Sequence, residues 1–69
     1  MGDRELIAKN LEMLIKASGK TKVKISREMG LQDTTISSYL AGRTIPSTLV
    51  VKKFCQILDC NYEDILGRL

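Results

Sequence analysis

The sequence predicts an all-α domain of five short helices. Three observations carry this. Apolar residues recur at three- and four-residue intervals, and no segment alternates as a half-buried strand does. Each apolar stretch is also bounded by glycine, proline or a small polar residue of the kind that starts or stops a helix.

The first helix starts at Asp3, a residue able to cap it, and runs to Ser18 and Gly19, with Ile7, Leu11, Leu14 and Ile15 on one stripe. Thr21 caps the second, which runs through Met29 with Ile25 and Met29 facing inward. Gly30 follows as a left-handed terminator. After a quick turn, Gln32, Asp33 and Thr34 give a polar start to the third helix. Its inward stripe is Ile36, Tyr39 and Leu40, and Gly42 ends it. Arg43 to Pro46 reads as a loop, because the residue before a proline avoids the helical region. Ser47 then caps a fourth helix with Val50 or Val51, Phe54, Ile57 and Leu58 buried. Asn61 with Asp64 three residues later opens a short fifth helix holding Ile65 and Leu66.

At 69 residues the chain makes a single domain, residues 1–69, which buries only about 60% of the surface its unfolded form exposes. With no Trp, one Phe and two Tyr, the core has to be built from aliphatic side chains. Apolar runs such as Leu49 to Val51 are far too short to cross a bilayer, and the N-terminus shows no signal-peptide segment. A cytoplasmic protein without a membrane association is expected. There is no His and no phosphate-cradling glycine loop, so neither an enzyme, a metal site, a cofactor nor a small-molecule ligand is expected. Cys55 and Cys60 read as reduced core residues; a disulfide or redox pair is the alternative.

The net charge of +3 is unevenly spread. Residues 16–53 hold Lys16, Lys20, Lys22, Lys24, Arg27, Arg43, Lys52 and Lys53 against Glu28 and Asp33, whereas both ends of the chain are slightly acidic. The basic middle is a candidate surface for a polyanion. It contains a short helix, a tight turn and a second helix between Thr21 and Leu40, an arrangement that exposes the second helix along one edge, where it can enter a major groove.

The stretch TKVKISREMGLQDTTISSYLAGRTIPS, a helix-turn-helix unit of about 21–41 with its following loop, resembles lambda repressor-like and Cro-like regulators, the xenobiotic-response-element family. The likeness is carried by Thr21, Ile25, Met29, Gly30, Leu31, Ile36, Tyr39, Gly42 and Pro46-Ser47. It extends to Leu11, Leu14 and Gly19 and to Phe54, Leu58, Asn61, Ile65 and Leu66. The resemblance implies a compact five-helix bundle and a sequence-specific, double-stranded DNA-binding transcriptional regulator, a repressor, with the helix of about Gln32 to Ala41 in the major groove. It places Asp33, Thr34, Ser37 and Ser38 towards base edges or their neighbouring phosphates, and Thr21, Lys22, Arg43 and Thr44 on the phosphate backbone. Hydroxyls donate or accept at several base edges, and flanking cations neutralise phosphate charge, so the residue chemistry agrees. For Asp33 a role at the helix N-terminus, as cap or dipole partner, competes with base contact.

Three departures from the family pattern bear on this. Lys22 stands where many members have Gln. The body of the third helix contains no Arg, Lys, Gln or Asn, which is the best argument for the alternative of a protein-interaction module that kept the fold and lost DNA binding. Ile15 and Leu40 stand where many members have an Arg–Glu pair, so these two are expected to meet between the first and third helices. Because one helix of hydroxyl residues reads few bases, a two-fold homodimer on a pseudo-palindrome is expected, with Tyr62, Ile65, Leu66 and Leu69 as its interface; the alternative is that these four only close the core of their own domain.

Overall fold

In the computed structural model, which describes residues 2–67, the chain folds into α1 (Asp3–Ser18), α2 (Lys22–Met29), α3 (Asp33–Leu40), α4 (Thr48–Leu58) and α5 (Tyr62–Leu66). One stripe from each helix faces the centre. Ile7, Leu11 and Ile15 of α1 meet Ile25 and Met29 of α2, Ile36 and Tyr39 of α3, Val51 and Phe54 of α4, and Ile65 of α5. Phe54 is the largest fully buried side chain and takes the edge of Tyr39 at 6.2 Å between ring centroids, an arrangement that suits the ring quadrupoles. Aliphatic and thiol side chains fill the rest, as the composition requires: Leu14, Leu31, Leu40, Val50, Cys55, Ile57, Leu58 and Cys60 pack half-buried against this centre. Ile15 is buried and Leu40 lies against the same cluster, on two helices that touch, so neither lies mostly in solvent.

The helix boundaries follow local chemistry. Thr21 accepts from the Lys24 backbone N–H and Ser47 from that of Val50, each satisfying a first-turn donor. Pro46 and Val51, on either side of the Ser47 cap, are both buried and fix the angle at which the chain enters α4. At α5 the Asp64 carboxylate accepts from the Asn61 backbone N–H at 2.9 Å, one arm of a capping box. At the first helix the sequence reading is corrected. The cap position belongs to Gly2, and Asp3 is already helical, its carboxylate in the first turn beside Glu5, which accepts from the Gly2 N–H at 3.5 Å. Asp3 therefore complements the helix dipole instead of capping.

Two features hold α1 to the rest of the fold. The Asn10 amide donates to the Ile65 carbonyl at 3.0 Å, tying α1 to α5. Gly42, at φ +73°, stops α3 where a side chain would be strained, and it sits close to the Arg4 and Ala8 turn of α1. Among the described residues no helix is long and apolar enough to cross a membrane.

Candidate nucleic-acid interface

The tight turn between α2 and α3 is three residues long. Gly30 adopts φ +68° and donates to the Arg27 carbonyl. Leu31 donates to that of Ser26 at 2.9 Å and turns its side chain half-inward, and Gln32 becomes the N-cap of α3. With Ile36 and Tyr39 anchoring α3 from below, its other face is left to Asp33, Thr34, Thr35, Ser37 and Ser38. Asp33 and Thr34 are exposed, while the other three are half-buried.

The hydroxyls on this face are already partly engaged, which decides what each has left to offer. Ser37 Oγ accepts from Lys22 Nζ at 2.9 Å, so its own proton remains to be donated. Ser38 donates to the Thr34 carbonyl at 3.1 Å, one turn back, and keeps lone pairs for an outside donor. Thr34 reaches the Gln32 side-chain oxygen at 3.4 Å, a long contact that leaves the Gln32 amide nitrogen unspent. Asp33 receives the hydroxyl of Ser26. A face with both donors and acceptors remaining suits base edges and phosphate oxygens alike.

Lysines in the basic segment divide into two groups. Lys20 binds Glu28 at 3.1 Å and the Ile57 carbonyl at 3.2 Å, and Lys53 reaches the Met29 carbonyl at 3.4 Å. Each of these ammonium groups sits at the C-terminus of a helix, α4 and α2 respectively, where the dipole favours a cation. They hold the scaffold together, a role that composition alone does not reveal. Lys16 pairs with Glu12 on the surface of α1 at 3.2 Å. Lys22, Lys24, Arg27, Arg43 and Lys52 are exposed, as is Thr44. Lys22 lies at the first position of α2, joined to α3 through Ser37. Arg43 and Thr44 follow the end of α3, so one exposed cation lies beside the hydroxyl face at Ser37 and another beyond its C-terminal end. Thr21, also exposed, spends its hydroxyl oxygen as the α2 cap but keeps its proton.

The remaining sequence-predicted residues fall elsewhere. Ile65 is 0% exposed, a core residue of its own domain. It was expected at a dimer interface because a short terminal helix looked over-supplied with apolar residues, but α5 closes the base of the core and needs it there. Tyr62 and Leu66 are 46% and 43% exposed, and Leu69 lies outside the described residues. Sequence reasoning missed Gln32, whose amide is available because the α3 cap makes no side-chain bond. It also missed the exposure of Ile45 and of Leu49, the latter at 71%, since Leu49 falls within an apolar run that reads as core. Both cysteines are free and half-buried. Cys60 donates its backbone N–H to Cys55, and its thiol is pushed up to about 11, by burial first and by the neighbouring Cys55 second.

Comparison with known proteins agrees with this geometry. Residues 10–68 match the Cro/C1-type helix-turn-helix DNA-binding domain. The chain is also 31% identical over 62 residues to the antitoxin PezA of Streptococcus pneumoniae serotype 4 (strain ATCC BAA-334 / TIGR4), an alignment covering 90% of this chain and 39% of that protein. The chain thus spans well under half the length of that relative. No solved structure matches it.

Proposed function

This chain belongs to the Cro/C1-type helix-turn-helix DNA-binding domain family, and from that premise we propose that it is a sequence-specific regulator which inserts α3 into the major groove of duplex DNA and represses by occupying its operator. The observation that carries this reading is the α3 face itself. Hydroxyl and amide groups with unspent hydrogen-bonding capacity lie beside the exposed cation Lys22 and ahead of the exposed Arg43. Gln32 is the one side chain at this edge able to read a base through two bonds, as an amide does with adenine, while Thr34, Ser37 and Ser38 supply single contacts. Lys22, Arg43, Thr21 and Thr44 hold the phosphates on either side.

So few readers call for two copies. The longest extent of the domain is 30 Å, so two domains in contact can set their α3 helices about 34 to 36 Å apart, one turn of the duplex. Tyr62 and Leu66 on α5 are the proposed contact. Leu66→Asp should give a folded monomer with much weaker operator binding; sedimentation showing a persistent dimer would place the interface elsewhere. Selection from a random duplex library tests the whole reading, with a pseudo-palindromic enriched motif expected. The second reading, an interaction module of the same fold, is favoured by the absence of Arg, Lys, Gln and Asn from Asp33–Leu40 and predicts that no motif is enriched.

A further inference from the structure

Among the described residues Ser26 is the one buried polar side chain, 2% exposed on the face of α2 that packs towards α3. Its hydroxyl lies 2.8 Å from the Val23 carbonyl, so it could be satisfied within its own helix, as buried helical serines commonly are. Instead the same hydroxyl also lies against the carboxylate of Asp33. It has one proton and two acceptors, and an ionised carboxylate is the stronger. Asp33 is an exposed residue in the first turn of α3, with water available to it, yet one of its oxygens is turned back onto α2.

We propose that Ser26 is a positioning residue that holds the Asp33 carboxylate back from the bases and so determines what the first turn of α3 can read. The proposal rests on the DNA-binding reading above and deepens it. A released carboxylate at this position could only accept hydrogen bonds, so it would favour the amino group of cytosine and oppose nearby phosphates. Held against Ser26, it leaves the first turn to Gln32 and Thr34. A buried hydroxyl that touches no DNA thereby acts on specificity through a neighbour.

The test compares motifs enriched from a random duplex library by the wild type, Ser26→Ala, Asp33→Ala and the double variant, with thermal unfolding run on each. Ser26→Cys, similar in size but a weak donor, serves as a second release variant. Ser26→Ala is expected to gain a cytosine preference at one base pair of each half-site and to bind the wild-type motif about tenfold more weakly, the size of a typical single mismatch. Asp33→Ala and the double variant should keep the wild-type motif. An unchanged motif in both Ser26 variants overturns the proposal, as does a changed motif in Asp33→Ala. A shift that persists in the double variant assigns Ser26 a purely packing role, with the same consequence. If the wild type enriches no motif, the DNA reading falls and takes this inference with it.

Discussion

The first turns of α3 and α4 are built to opposite specifications. At α4 the Ser47 hydroxyl accepts from the Val50 N–H and Pro46 and Val51 bury the approach, so one first-turn donor is satisfied by the cap. At α3 the Gln32 side chain makes no cap bond, and the following residues keep donors and acceptors to spare. The first turn of the scaffold helix carries a side-chain cap, whereas that of the helix at the candidate interface does not. Closing polar groups stabilises a fold, and leaving them open at an exposed helix start suits phosphate and base contacts.

The comparison breaks most severely if the scaffold itself is removed. Phe54→Ala deletes the centre of the core and is expected to cost about 3 to 5 kcal/mol, enough to unfold much of so small a domain and abolish binding with it. Chemical denaturation measures this directly.

Substitutions at the two caps sharpen it. Ser47→Ala should lower stability by about 1 kcal/mol and leave DNA affinity per folded molecule unchanged. Gln32→Ala should leave the unfolding midpoint nearly where it is, because no side-chain cap bond is lost, while weakening adenine discrimination by about 1 to 3 kcal/mol. Paired melting and binding measurements would contradict the contrast if Ser47→Ala lost affinity and Gln32→Ala lost stability.

A smaller effect belongs to the scaffold side alone. Since burial raises the Cys60 thiol from 9.0 to about 11, the folded state favours the neutral thiol. Its contribution to stability is full below pH 9.0 and is lost as pH rises from there towards 11. The wild-type melting temperature should therefore fall more steeply across that window than that of Cys60→Ala.

Much of this was legible in the sequence because it is local. Thr21, Ser47 and the Asn61–Asp64 pair announce their caps, and Gly30 and Gly42 mark places where only a left-handed residue serves. The α4 terminator was less readable, since Asp59 adopts φ +52° with no glycine to signal it; short polar side chains tolerate that region. What the sequence hid is tertiary. Lys20 and Lys53 look like surface charge until α4 and α2 end beside them, and Ile65 looks surplus until α5 is seen to close the core. The partner of Asp33 lies seven residues away across a turn, where helical periodicity gives no pairing rule. At the candidate interface, residue type and spacing suggest a polar α3 face, but only the fold shows which hydroxyls still have a proton to give.

The central claim, that the α2–α3 edge meets the phosphates of a duplex, is tested most directly by the dependence of affinity on salt. The slope of log affinity against log salt should be steep for the wild type. It should become shallower by roughly one unit in each of Lys22→Ala and Arg43→Ala, with affinity falling about equally on every duplex. A flat wild-type slope, or two variants that bind with wild-type affinity and slope, would contradict the account.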